Sequence, residues 1–566
     1  MPQASSYDTE YIVVNNVALS ASQALEPLHM PRTLRRAAGV IIVGSLIVLP
    51  LAFGAVHPPV YLTAHIVIYA LLLAFLVLAR PCLKALLQPA NFSTKLIGIF
   101  SAFALYSTLQ IIVLANMKRP HPILGLTSAW ANPQAALRSL DAVFFFLATF
   151  IIVRVWLGAS ERRARFLVWT LISVSLFVSL VALSHWFYDN GRLFWTFEPK
   201  NTFISSRARW PFVNPNNLAH FLLPAFFLMA AKLSALFSAS RQMIQGSGQR
   251  KFVRQISSNL HLQSKILQSI FTACAILCTL LCIAGSLSRS AWLGLSLGIA
   301  AYGWKLFKPQ SAQAGSPGGK TLPALQAEPE TEFTAQPASA NLHEAVIESG
   351  SLQQHVKPAG RRPRHRPKSE TFSGLNWNLP GKAVRLLLFA LAVGLLYFFL
   401  QGRGSELIEG RIEYGLTCAK DDMRWQLYAD TLAMIKDHWV MGVGLGSWAS
   451  YYPKYKNRLL SGMNPVFLHS EPLQLFAETG LVGALLLICG VILIIHHLNR
   501  VFPKLSAPER TLAEGTGIGL LSLGLASALE FPFRIPAIVF YSAVYLALMG
   551  AALDKSQNRV STQDGR

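Results

Sequence analysis

Apolar runs of about twenty residues recur along this chain, at roughly 37–56, 60–79, 96–115, 139–158, 165–187, 218–238, 266–287, 290–306, 384–401, 473–495, 511–530 and 536–553. A helix rises about 1.5 Å per residue, so each run matches one crossing of a hydrocarbon layer about 30 Å thick. Strands of a membrane barrel would be half as long and would alternate apolar with polar residues, which these runs do not. The fold expected is therefore an all-α polytopic membrane protein with about 12 transmembrane helices and one large outer loop containing amphipathic helices. Composition agrees, with 52% of the 566 residues hydrophobic and only 14% charged.

Basic residues orient the bundle. With the N-terminus inside, most of the 50 Lys and Arg fall in segments assigned to the cytoplasm. The net charge of +23 then reads as topology and as contact with anionic membrane lipids, and no nucleic-acid partner is expected. The order predicted is a cytoplasmic tail (1–36), helices one to eight (37–306), a disordered basic cytoplasmic insert (307–383), helix nine (384–401), a large outer loop (402–472), helices ten to twelve (473–553) and a cytoplasmic tail (554–566). The N-terminal stretch exceeds a typical signal-peptide n-region, so the first span is expected to stay as an anchor. The insert ends in "RRPRHRPK" (361–368). Without interleaved aromatics, that octamer reads as lipid-headgroup contact or a topological signal before nucleic-acid binding.

Cysteines imply no disulfide framework, since Cys82, Cys274, Cys278, Cys282 and Cys489 lie in or beside spans and only Cys418 sits in an outer loop. Cys274, Cys278 and Cys282 share a helical face at i, i+4, i+8. A soft-metal site would use such spacing, but small residues packing a membrane helix explain it better. Neither a metal nor a cofactor is expected.

Polar residues that do not suit lipid gather in the outer loops: "GAVHPPVY" (54–61), "SSRARWPFVNPNNLAH" (205–220), "SLSRSAW" (286–292), the loop 402–472 and "EFPFRIP" (530–536). Arg289 sits in a turn of a few residues between two apolar helices. Its guanidinium must stay at the interface or find an anion. Arg207 and Arg209 precede "WPFVNPNNLAH", where Asn214, Asn216 and Asn217 offer side-chain hydrogen bonds. Asn217 would serve as a cap for the next helix, yet two Arg and three Asn are more than a cap requires.

The large loop opens with an amphipathic pattern. Trp425, Tyr428, Leu432, Ile435 and Trp439 recur at helical spacing and suit the bilayer surface, with Arg424, Asp430 and Lys436 on the polar face. "GVGLGSW" (442–448) follows. A Gly-rich loop can cradle phosphate, but with no strand before it and no Walker Lys after it, a plain turn is the better reading. Next, "FLHSEPLQLFAETGLVG" (467–483) runs from a polar turn into a span, placing His469, Glu471 and Glu478 where ionisable groups are expensive. Ser470 is the expected N-cap, with Glu471 and Pro472 in the first turn. His469 just ahead of a helix N-terminus is expected to stay neutral and able to accept a proton, although a lone loop histidine is more often only a polar loop residue.

Taken together, a neutral His, several Arg and an interfacial helix on one face suit a lipid-borne anionic substrate. Arg holds phosphate oxygens through planar bidentate bonds, so it would stabilise a departing diphosphate while His takes an acceptor hydroxyl proton. "FVNPNNLA", "LSRSAWLGL", "DHWVMGVGLGSW" and "HSEPLQLFAETGLVG", in that order, resemble the bacterial O-antigen ligase and O-antigen polymerase superfamily over roughly residues 38 to 550, the insert excepted. The resemblance implies a metal-independent membrane glycosyltransferase of the bacterial inner membrane, its active site facing the periplasm. Its donor would be an undecaprenyl-diphosphate-linked glycan and its acceptor a lipid A core or another glycan. By motif match the loop histidine, the catalytic base, falls on His469, and the arginines fall on Arg207 and Arg289. Arg424 joins them as a diphosphate-binding residue, with Arg209, Asn214, Asn217 and Glu471 in substrate binding. Two positions depart from the family pattern: His469 is followed by Ser470 rather than Asn, and Arg-Ala-Arg-Trp precedes "PFVNPNN" in place of a Gly- and Ser-rich lead.

An O-antigen ligase and an O-antigen or exopolysaccharide polymerase remain open alternatives at this point. A lipid-linked glycan flippase is the rival of another class; it would need charges inside the membrane and duplicated halves, neither of which is expected here.

Overall fold

A computed structural model describes residues 30–116, 133–188, 192, 196, 207–245, 252–307, 409–410, 413, 422–457 and 464–564. The chain divides into two units, Met1–Leu306 with Leu386–Arg566, and Phe307–Arg385. Helices α1 to α9 span Arg32–Leu51, Pro58–Leu78, Arg80–Leu86, Phe92–Asn116, Pro133–Leu157, Glu161–Phe187, Pro215–Gln245, Phe252–Gly285 and Arg289–Phe307. After these come α10 (Met423–Asp437), the single turn α11 (Trp448–Tyr451), α12 (Glu471–Val501), α13 (Ala507–Ala526) and α14 (Pro536–Asp564). Among the described residues there is no strand, and ten helices are long and apolar enough to cross a membrane. The expected eighth span, 290–306, corresponds to α9, which is helical but is not among those ten. The ninth, 384–401, lies outside the described residues, as do the "RRPRHRPK" octamer, Cys418 and the chain before residue 30.

Helices overrun the apolar runs that signalled them. α7 continues to Gln245, α8 starts at Phe252, and α14 runs to Asp564 rather than stopping near 553. Hydropathy marks only the stretch that lipid would bury, whereas backbone hydrogen bonding carries a helix on into water until a breaker ends it.

α7 packs along α8 and α13, and α5 along α14. Contact is close because small residues face the seam: a Cβ on Gly519 of α13 would lie 2.8 Å from the Pro224 backbone of α7. Cys282 follows the same rule, buried on α8 with its thiol 3.3 Å from the Ser179 carbonyl of α6. No group of His, Cys, Asp or Glu among the described residues is arranged to hold a metal.

Charges do occur within the helices, contrary to the sequence expectation, but in pairs. On α2 and α5, the Asp141 carboxylate accepts from Tyr69 at 2.6 Å and lies 2.6 Å from His65 Nδ1. Near the far end of α5, Arg154 donates to Asp554 of α14 at 2.9 Å and to Ser93 of α4 at 3.0 Å. Pairing offsets the cost of burial that makes a lone charge untenable there.

Alternate helix ends meet on one face. The α1–α2 turn touches Phe212 and Ile535 at Gly54, and the α5 start touches the 442–448 loop at Gly446. α10 closes over this face on a small core of Leu427, Met434, Ile435, Trp448, Tyr451, Tyr452 and Leu468. Its apolar set splits: Ile435 is buried while Trp425, Leu432 and Trp439 are exposed. Asp430, expected on the polar face, is instead buried, because Tyr452 and Gln426 donate to its carboxylate at 2.9 and 2.8 Å.

α12 is two helices joined at Gly480, whose φ of 63° and ψ of −165° break the helical ladder. A break exposes carbonyls on one side and N–H groups on the other, and both need partners. The loop 439–446 supplies them. Val443 and Gly444 N–H donate to the Ala477 and Glu478 carbonyls at 2.9 Å each, and Leu481 and Val482 N–H donate to the Trp439 and Val440 carbonyls at 2.8 and 3.3 Å. From α4, Gln110 donates to the Glu478 carbonyl at 2.8 Å and Tyr106 to that of Thr479 at 2.6 Å. The glycine-rich loop is thus committed to the break, and the N–H groups that would cradle a phosphate are used.

Candidate active site at the shared helix ends

Glu530, in the turn between α13 and α14, is the centre of the site. It is 2% exposed, and both carboxylate oxygens are engaged. Oε2 lies 3.1 Å from His469 Nδ1, while Oε1 accepts from Arg424 at 2.7 Å and from Asn216 Nδ2 at 2.7 Å. Burial by itself pushes this carboxyl up, but the His469 hydrogen bond and the Arg424 charge outweigh it and hold it below its ordinary value. The group stays ionised near neutrality. An ionised carboxylate only accepts, so His469 Nδ1 carries the hydrogen between them, and in the neutral imidazole that tautomer leaves the lone pair on Nε2.

The backbone of His469 is held on every side. Its φ is 61°, a left-handed conformation uncommon for a residue with a Cβ. Leu468 N–H donates to Gln474 at 3.0 Å, Tyr428 donates to the His469 carbonyl at 2.9 Å, and Glu471 N–H donates to the Glu530 carbonyl at 3.2 Å. Phe531 packs edge-on against the imidazole with ring centres 4.8 Å apart. Ser470 takes the expected N-cap position but makes no side-chain cap bond.

Three arginines converge here from three separate elements. Arg207, ahead of α7, donates to the Ser286 carbonyl and to Asn216 Oδ1 at 2.6 Å each. Arg289, the first residue of α9, donates to Asp422 at 2.5 Å. Arg424, on the first turn of α10, also reaches the Leu529 carbonyl at 3.1 Å. Asp422 caps α10 by accepting from Arg424 N–H at 3.1 Å. Its burial raises it, but the hydrogen bonds from the Arg424 backbone and the Arg289 side chain leave it below its ordinary value. Two acids and Asn216 therefore tie His469 and the three arginines into one network.

Other sequence-selected residues land elsewhere. Arg209 is buried with its guanidinium carbon 4.6 Å from the Trp210 ring centre. Asn214, not Asn217, flanks the helix: α7 starts at Pro215, and Asn214 Oδ1 accepts from Asn216 N–H at 2.9 Å, which puts Asn217 inside the first turn. Glu471 turns from the arginine cluster to Arg534, 3.4 Å away. Glu478 finds its partners in the same place. Its Oε2 accepts from Arg534 at 3.2 Å and Gly446 N–H at 2.9 Å, and its Oε1 accepts from Gln474 at 2.8 Å. Burial would lower the Arg534 guanidinium, but Glu478 and Glu471 outweigh it and hold it above its ordinary value.

Sequence reasoning missed Glu530, Asp422 and Arg534 as site residues, and named Asn216 only as a hydrogen-bonding loop residue. One signal for Glu530 and Arg534 was available: both are ionisable groups in a seven-residue turn between two apolar runs, the test that singled out Glu478. No curated protein matches the chain. Residues 371–488 of the 566, which hold α10, the glycine-rich loop, His469 and the first part of α12, are similar to the O-antigen ligase family.

Proposed function

We propose that the protein is a membrane glycosyltransferase that moves a glycan from an undecaprenyl-diphosphate carrier to an acceptor hydroxyl on the periplasmic face. The observation that carries this reading is the His469–Glu530 pair set beside three arginines that arrive from three elements. His469 Nε2 takes the acceptor's proton as the hydroxyl oxygen bonds to the sugar's anomeric carbon. The bond from that carbon to the diphosphate breaks, and the diphosphate leaves with the electron pair. Glu530 fixes the imidazole tautomer and stabilises the imidazolium that forms. Arg207, Arg289 and Arg424 receive the charge that grows on the diphosphate. Each guanidinium has five N–H donors, so the Asp422 bond to Arg289 leaves that group capacity for phosphate oxygens.

The test is transfer by reconstituted protein from an undecaprenyl-diphosphate-linked glycan. His469→Ala should abolish transfer while the protein still inserts and folds, and full activity in that variant overturns the assignment. Arg289→Gln should raise KM for the donor and lower kcat, because the phosphate contact is present in the bound donor and strengthens as charge grows on the leaving diphosphate. The surface glycans of a deletion strain assign the acceptor. Loss of all long chains from the lipid A core marks a ligase, whereas capping by a single repeat marks a polymerase.

A further inference from the structure

We infer that Arg534 and Gln474 are positioning residues for the base, a proposal that rests on the reading of His469 given above. Neither touches the imidazole. They act on the backbone that carries it, through a buried chain: Arg534 donates to Glu478 at 3.2 Å, Gln474 Nε2 donates to the same carboxylate at 2.8 Å, and Gln474 Oε1 accepts from Leu468 N–H at 3.0 Å. Leu468 precedes His469. Gly446 N–H holds the same carboxylate at 2.9 Å from the other side, so Glu478 cannot rotate to another partner without losing three bonds.

The geometry explains why an arginine stands here. Glu471 and Glu478 both lie on the stub of α12 between His469 and the break at Gly480. Two buried carboxylates about two helical turns apart on one face repel each other and need a shared cation, and the planar guanidinium reaches both at 3.2 and 3.4 Å. A third bond, to Ser139 on α5 at 3.3 Å, ties the guanidinium to the bundle. Arg534 also sits four residues from Glu530 in one short turn. That turn therefore grips the imidazole with Glu530 and the helix behind it with Arg534, and so sets the separation of His469 from its carboxylate. A left-handed His469 has no strain-free reason to stay in place unless its neighbours impose it.

The experiment compares Arg534→Met, Arg534→Lys, Gln474→Leu, Glu530→Gln and the double variant Arg534→Met with Glu530→Gln, each reconstituted and normalised to folded protein. Arg534→Met and Gln474→Leu should lower kcat by about 10²-fold, the cost of misplacing a reacting group by an ångström, with donor KM unchanged. Arg534→Lys should recover part of the loss, since one ammonium keeps the charge but cannot bridge both carboxylates. The double variant should be no slower than Glu530→Gln alone, because both changes act through one imidazole. If Arg534→Met fails to fold with two uncompensated carboxylates, Gln474→Leu still decides, as it leaves every charge in place. Wild-type kcat in Gln474→Leu, or losses that simply multiply in the double variant, overturn the inference. Wild-type transfer by His469→Ala instead overturns the underlying reading, so the two failures are distinguishable.

Discussion

At the scale of single residues, the site is a set of loop side chains whose partners lie far away in sequence. His469 was legible because its span mouth was an odd place for a titratable group, but Glu530 is 61 residues away and carries no motif of its own. Glu530→Gln keeps the shape and loses the charge, so it should cut kcat by about 10²-fold or more in the transfer assay, since the imidazolium loses its counter-ion. Stability should respond to acid in a defined direction. Glu530 and Asp422 are both held below their ordinary values of 4.5 and 3.8. Their contribution is therefore complete above those values and is lost as pH falls through the lower folded values. Thermal unfolding in detergent should show a falling Tm below about pH 4, and Glu530→Gln should flatten part of that slope.

Among the elements, α10 and α12 differ most from their sequence patterns. The period of Trp425, Tyr428, Leu432, Ile435 and Trp439 correctly signals a helix, yet it gives no sign that Asp430 turns inward. That depends on Tyr452, a residue 22 positions on. Apolar continuity from 473 to 495 likewise hides the break at Gly480, because hydropathy averages over a residue whose backbone leaves the helix. A Cβ on Gly480 would lie 2.4 Å from the Val440 carbonyl oxygen, at a φ that side chains rarely adopt. Gly480→Ala should cost at least about 2 kcal/mol. The check is unfolding of the solubilised protein, with loss of transfer following loss of fold.

For the whole molecule, the membrane class and nearly every described helix followed from run length alone, since the bilayer fixes that length. Which helices touch did not follow, because lipid-facing and helix-facing apolar residues look alike in sequence. The Arg154–Asp554 pair illustrates the gap. Arg154 lies fifteen residues beyond Ser139 on α5, about 22 Å from the site. Asp554→Ala leaves a buried guanidinium without its counter-ion and should cost about 3–5 kcal/mol of stability. Activity per folded molecule should be unchanged, and a drop in kcat at constant folded amount would show that the two ends are coupled. The break in α12 bears on motion at this same scale. The 439–446 loop makes four backbone bonds across it, so α10, the loop and the stub of α12 can only shift as one rigid body. Across from that body, the turns before α7 and α9 are joined to it and to Glu530 through Arg289–Asp422 and Asn216–Glu530, which are side-chain bonds. Opening that seam therefore takes changes of side-chain rotamer and does not require the backbone bonds of the break to part.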